Sequence, residues 1–253
     1  LSMVLQAEGI RYGVEHWRRH PKQVSGILYW QFNDCWPVAS WSSVDYFGRW
    51  KALHYAARRF FAPLLLSIED QQKAMNVVLT NDSPENWEGM LRWSLETLAG
   101  EVLQSKEEQV NAAPLDATCV CRCEFSNSLK DEQIRNMVFV AELLRGERIL
   151  SRQAAFFVPI KYLNLVDPHV QSQIQIEDQQ VKISLASHSF AGQVECMLEG
   201  SDAVFSDNYF DLPAGRVVEI SAPLPSGWTK SQVKNAFQVR SIYDSYEHKK
   251  RKS

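Results

Sequence analysis

No apolar run of about 18 residues, the length a membrane-crossing helix needs, occurs anywhere in the chain. An excess of one charge is missing as well: 27 lysines and arginines stand against 30 acidic residues, a net charge of −3. This excludes the broad basic footprint of a nucleic-acid-binding protein. Basic residues gather once, in His248-Lys249-Lys250-Arg251-Lys252, which reads as a solvated tail. Cysteine is scarce, with five residues in an odd number and no disulfide-framework spacing. On a strand, Cys119, Cys121 and Cys123 would all face one side, with sulfurs roughly 7 Å apart. That is too far for a disulfide, and no fourth ligand stands at a usual metal-site spacing. They read as buried free thiols with no metal, in a reducing, cytoplasmic setting. No signal peptide opens the chain, which reads as starting inside a domain, and no strict internal repeat is present.

What is present suits a folded protein. The 253 residues allow one large domain or two to three small ones, and 45% hydrophobic content can fill their cores. The most informative stretch is residues 26–37, GILYWQFNDCWP. It opens as a continuous apolar run and turns polar at Gln31, Asn33 and Asp34, bracketed by Trp30 and Trp36. Such a run fits a fully buried strand of a parallel sheet. An amide, a carboxylate and an indole at its end fit a ligand site, since sites in α/β folds gather at the carboxyl ends of strands. An ordinary core strand filled by tryptophans is the plainer alternative.

The flanking pattern is helix, strand, loop, helix. Met3, Ala7, Ile10, Val14 and Trp17 recur at helical spacing over residues 3–19, and Pro21 stops that helix. A buried strand over 26–33 and a loop over 34–48 follow. A second helix over 49–60 carries Trp50, Leu53, Ala56, Ala57 and Phe60 on one face. This is about one and a half units of a β/α barrel, whereas a complete eightfold barrel takes about 250 residues. After Pro63 the pattern is all-β. Short segments at 75–79, 89–97, 118–125, 137–143 and 154–157 are separated by turn clusters, as in a β-sandwich. A boundary falls near 161–167, and a second set follows at 174–176, 181–185, 192–198, 217–220 and 236–242. The expected domains are 1–63, 64–163, 164–248 and a basic tail, 249–253.

Residues 25–63, SGILYWQFNDCWPVASWSSVDYFGRWKALHYAARRFFAP, closely resemble the last barrel strand and helix of the β-mannosidases of glycoside hydrolase family 2. Residues 205–212, FSDNYFDL, resemble a strand-and-turn motif of the immunoglobulin-like domain that closes those enzymes. The resemblance implies a mainly β chain: two immunoglobulin-like β-sandwich domains preceded by the last helix-strand-helix of a (β/α)₈ barrel. It also implies a retaining glycosidase that removes terminal β-linked mannose and needs no cofactor.

Retaining hydrolysis needs two carboxyl groups about 5–5.5 Å apart. In the resembled enzymes both glutamates lie on earlier barrel strands, so no catalytic residue is expected in this chain. Glu8 and Glu15 read as helix-surface residues. Asp34, the one carboxylate at a barrel-mouth position, cannot run a double displacement alone. The resemblance instead places Trp30 in the floor under the terminal sugar, with Asn33, Asp34 and Trp36 at the rim. Trp41 and Trp50 are assigned to packing. The expected partners are a β-mannoside or related oligosaccharide in the complete enzyme, and an N-terminal catalytic part or a second copy joined through residues 1–62. Largely disordered residues 1–62 are the alternative to that association. No nucleic acid or membrane is expected. The rival function is a non-catalytic carbohydrate-binding or structural β-sandwich protein, although Trp87, Trp93 and Trp228 form no aromatic row.

Overall fold

The computed structural model describes residues 1–246. The basic tail expected over 249–253 lies outside the described residues. The chain divides into two compact units. One comprises Ala7–Trp30 and Ala56–Leu165; the other comprises Leu1–Gln6, Gln31–Tyr55 and the described residues from Val166 to Tyr246. Two helices, α1 (Ser2–Arg18) and α2 (Ala52–Phe60), contribute to both.

In the first unit the chain forms β1 (Leu64–Gln71), β2 (Ala74–Asn81), β3 (Trp87–Thr97), β4 (Val102–Ala112), β5 (Asp116–Glu124), β6 (Met137–Arg145) and β7 (Arg148–Ala155). They make two antiparallel sheets, ordered β1-β2-β5 and β4-β3-β6-β7. Leu66, Met75, Val77 and Leu79 from the first sheet join Leu91, Leu95, Phe139, Ala141 and Leu143 from the second in one core. Each large side chain buried there contributes about 1.5–3 kcal/mol. Trp93, Phe125 and Phe139 meet with ring centroids 5.8–6.3 Å apart, the spacing aromatic pairs favour.

β6 is buried on both faces apart from its last residue, so its lone carboxylate needs partners. Glu142 accepts from Arg152 at 2.6 Å and lies 3.6 Å from Arg92. β1 and β4 were not legible as strands. The sequence of β4, VLQSKEEQVNA, is mostly exposed and carries Lys106, Glu107 and Glu108 at its centre, and such charges are how an edge strand resists pairing with another chain.

Three expectations fail within this unit. First, residues 26–30 form no strand, and the only bridge in the stretch 26–33 joins Asn33 to Val44. Leu28 is 98% exposed. A parallel strand needs a neighbour on each edge, and here none runs alongside. Second, Glu15 is not a surface residue. It is buried beside Arg11, 3.1 Å away, and burial pushes its carboxyl upward against the pull of that guanidinium. Third, the cysteines do not share one buried face. A bulge on β5 sets Val77 opposite Cys121 and Val78 opposite Cys119, leaving Val120 as the extra residue. Val120 and Cys121 both pack against the core, Cys123 is within it, and Cys119 is exposed. Cys35 is exposed too.

The helices are tied down at their carboxyl ends, where backbone carbonyls lack partners. Arg18, on the last turn of α1, is buried and donates to the carbonyls of Phe60 (2.6 Å) and Ala62 (2.8 Å). Its other nitrogen reaches the Asp82 carboxylate at 2.8 Å. Thr80 Oγ1 on β2 donates in turn to the Arg18 carbonyl at 3.2 Å. These bonds fix residues 7–18 and 56–62 to the β1–β2 hairpin, so this part of residues 1–62 is ordered by the sandwich itself.

The second unit holds β8 (Gln171–Glu177), β9 (Gln180–Ala186), β10 (Ala191–Leu198), β11 (Phe210–Leu212), β12 (Val217–Pro223), α3 (Lys230–Ala236) and β13 (Phe237–Arg240). Its antiparallel sheets are ordered β12-β9-β8 and β11-β10-β13. Val181, Ile183 and Leu185 alternate inward along β9 and meet Val194, Cys196 and Leu198 of β10. Asp178 and Gln179 both take positive φ, 49° and 61°, as the two-residue β8–β9 hairpin requires. Thr229 and Gln232 form a reciprocal cap that starts α3.

Asn208, in the 205–212 motif, acts as a substitute strand. Its side-chain amide accepts from Cys196 N–H at 2.8 Å and donates to Cys196 C=O at 2.9 Å.

Replacing Arg18 with Met should leave the Phe60 and Ala62 carbonyls without their donor while keeping the apolar stem. The expected cost is about 2–4 kcal/mol. It would be read as a lower urea midpoint at unchanged m-value.

Candidate functional site

Residues 31–51 form a polar network outside the regular strands. They consist of short polar residues between aromatics, and the polar residues bond one another. Val44 N–H donates to Phe32 C=O at 2.8 Å, and Asp34 N–H donates to Val44 C=O at 3.1 Å. Lys51 N–H donates to Ser43 C=O at 2.9 Å. Three passes of the loop thus lie side by side without a regular sheet. Asp45 closes the turn: its Oδ1 accepts from the N–H groups of Phe47 and Arg49, and its Oδ2 from Arg49 Nε at 2.6 Å. Gly48 takes the positive φ of 82° that this turn needs. Trp50 and Lys51 are therefore committed to the loop, which is why α2 begins at Ala52.

Asp34 is the centre of the loop. It is 5% exposed. Ser40 Oγ donates to Oδ1. Oδ2 accepts from Ser42 Oγ at 2.7 Å and Lys51 Nζ at 3.2 Å. Lys51 Nζ also donates to Ser42 Oγ at 2.8 Å. The Ser40 and Ser42 hydroxyls, with Lys51 behind them, hold the Asp34 carboxyl below the usual carboxylate range, against a smaller opposing effect of burial. A carboxylate with both oxygens engaged is a poor proton donor or nucleophile, and its geometry suits a staple.

The other candidates point outward. Trp36 is 64% exposed and Asn33 is exposed, its amide donating only to the neighbouring Asp34 carbonyl at 3.3 Å. Trp30 is 78% exposed and is the last residue of its segment in the first unit. The second unit therefore brings Asn33 and Asp34 together, and carries Trp36 on the same loop. Trp41, assigned to packing, is 61% exposed, although its carbonyl accepts from Gln6 Nε2 at 2.7 Å. Trp50 does pack, with ring centroids 4.4 Å from His54 and 5.2 Å from Tyr55.

Sequence reasoning missed Ser40, Ser42 and Lys51. The serine-rich run ASWSSVD was the available signal, because short hydroxyl side chains favour such local bonds.

Among the described residues no group of three or more His, Cys, Asp or Glu side chains is placed to hold a metal ion. No helix among them is long and apolar enough to cross a membrane.

Two family models match the chain. The Mannosidase Ig/CBM-like domain covers residues 73–162, and an Ig-fold domain found in mannosidases covers 165–245. A β-mannosidase of Capra hircus is 40% identical over 98 residues, 36% of this chain and 11% of that protein. β-Mannosidase B of Aspergillus niger is 28% identical over 243 residues, 86% of this chain and 28% of that protein. The crystal structure of a β-D-mannosidase from Dictyoglomus thermophilum superposes with a TM-score of 0.84 at 26% identity, over 95% of this chain and 29% of that one. The chain thus spans less than a third of the length of these relatives.

Replacing Asp34 with Ala should release the loop. Limited proteolysis is expected to cut within residues 35–48 faster than in the parent, with the sandwiches still intact. Because the folded carboxyl titrates below its unfolded value, its stabilisation is complete above the unfolded pKa, about 3.9. It is lost only as pH falls through the lower folded value. Cleavage of the parent loop should therefore stay slow from about pH 5 to 8 and rise only in stronger acid.

Proposed function

Because the chain belongs to the β-mannosidases of glycoside hydrolase family 2, as a C-terminal portion of such an enzyme, we propose that it supplies part of the wall that binds the terminal β-mannose. The catalytic carboxylates of the retaining reaction come from elsewhere in the complete enzyme. One observation carries this reading: Asp34 is turned inward and fully bonded, while Asn33 and Trp36 on the same loop face out. A rigid loop that presents an indole and an amide to solvent suits a sugar. The indole covers the apolar C–H face of a pyranose, and the amide offers both a donor and an acceptor to hydroxyls. Trp36 is the indole this loop offers, and the resemblance separately assigns Trp30 to the floor under the sugar in the complete enzyme. Asp34 is a positioning residue that orders the loop bearing Asn33 and Trp36.

The state of three carboxylates on the loop and on α1 supports the division of labour. Asp34 is sequestered by Ser40, Ser42 and Lys51. Asp45 is held by Arg49 and two backbone amides. Glu15 is buried against Arg11. None of the three is free to attack an anomeric carbon while a second carboxyl protonates the leaving group.

A preparation shown by mass to contain only this chain should not turn over an aryl β-mannoside; measurable hydrolysis would overturn the division proposed here. In the complete enzyme, Trp30→Ala should lower kcat/KM for the same substrate by roughly tenfold, equivalent to about 1.4 kcal/mol of lost stacking. A folded variant with unchanged kinetics would remove Trp30 from the sugar site.

A further inference from the structure

The thiols on β5 stand closer than an extended strand predicts. Cys121 Sγ and Cys123 Sγ are 3.4 Å apart. The side chains lean together next to the bulge at Val120, where the ladder with β2 is already broken. The surroundings are polar for a sandwich interior. Glu108 on β4 accepts from Lys106 Nζ at 2.6 Å through Oε2, while its Oε1 is buried and takes up no well-aligned hydrogen bond, with the Cys121 thiol and the Trp93 indole nitrogen beside the carboxylate. The indole nitrogen of Trp93 is buried there too and helps to hold the Glu108 carboxyl below its usual value, behind the larger effect of Lys106. Cys121 is half-buried and Cys123 buried, so a small oxidant can reach the first more readily than the second.

We propose that Cys121 and Cys123 form a peroxide-oxidisable dithiol, with Cys121 as the attacking sulfur and Cys123 as the resolving one. The Cys121 thiol gives its proton to the Glu108 carboxylate, and the thiolate attacks one oxygen of hydrogen peroxide. The O–O bond breaks, and the departing hydroxide takes the proton back from Glu108 and leaves as water. Cys121 is then a sulfenic acid. Cys123 sulfur attacks it, the S–O bond breaks, the Cys123 proton joins the leaving hydroxyl, and a second water departs as the S–S bond forms. Two thiols and one peroxide become one disulfide and two waters.

The roles follow from the pair's own chemistry. Donation from the Cys123 thiol holds Cys121 below the ordinary thiol value, with Lys106 assisting and burial and Glu108 opposing. The same bond, with burial behind it, holds Cys123 well above that value. Neighbours at i and i+2 lie near the upper limit of disulfide reach, so the bond should be easily reduced by a dithiol.

The test uses the reduced full chain, graded hydrogen peroxide, alkylation of the remaining thiols and peptide mapping. Cys121 and Cys123 should lose alkylation together, before the exposed Cys119 and Cys35, and dithiothreitol should restore both. In Cys123→Ser, a dimedone adduct should accumulate on Cys121. In Cys119→Ser, the loss at Cys121 and Cys123 should be unchanged. If Cys123→Ser does not fold, the map of the parent chain decides alone. Prior consumption of Cys119 or Cys35, a Cys119–Cys121 linkage, or persistent alkylation of Cys121 would overturn the proposal.

Discussion

Every buried backbone N–H and C=O needs a partner, and the main features of this chain are different answers to that requirement. Within the sandwiches the answer is the antiparallel ladder. At the ends of α1 and α2 it is Arg18, one guanidinium that serves two carbonyls and a carboxylate. Beside β10 it is Asn208, whose amide supplies the donor and acceptor that a short strand would otherwise bring. In the loop before α2 it is a set of serine hydroxyls and the Asp45 carboxylate, which accepts from two backbone N–H groups. Where no neighbour exists, over residues 26–30, no strand forms despite a strongly strand-like sequence.

That last case shows how the loop over 31–51 can be well built next to a stretch that is not. A strand of a parallel sheet takes its bonds from both neighbours, whereas the loop takes nearly all of its bonds from itself. Asp34, Ser40, Ser42 and Lys51 form a closed polar cluster. Such a cluster is strengthened by its own partial burial, because a low local dielectric favours bonded charges as much as it penalises lone ones. Inward charge and outward aromatics invert the usual arrangement of a globular core. The inversion suits a surface that binds a ligand bearing hydroxyls on its edge and C–H groups on its face.

The two halves of the cysteine pattern make a related point. A strict CxCxC alternation places three sulfurs in a row, but one extra residue at Val120 separates them into an exposed thiol and a close pair. Bulges re-aim side chains, and here the bulge sets Cys119 apart from the close pair of Cys121 and Cys123, beside which lie Glu108 and Trp93 of the neighbouring sheet.

The amino-acid sequence alone determined the mainly β character after Pro63, although not α3, which the strand pattern did not announce. Alternating runs such as VKISL and the apolar MVFVAELL can bury themselves only as strands, and turn residues between them set the spacing. It also determined the two helices, through apolar residues at helical intervals, and the kinship to the β-mannosidases, through the aromatic-rich stretch WQFNDCW. Tertiary structure alone decided the rest. β1 and β4 are strands because they lie along β2 and β3, not because their sequences demand it. Glu15 is buried because it shares the inward side of α1 with Val14 and Arg18, and Arg11, one turn earlier, meets its carboxylate there. Asp34 is a staple and not a free carboxylate because Ser40, Ser42 and Lys51, up to 17 residues away, fold back onto it. Residues 26–30 are not a strand because pairing is a property of two segments, and one sequence stretch can specify only its own half.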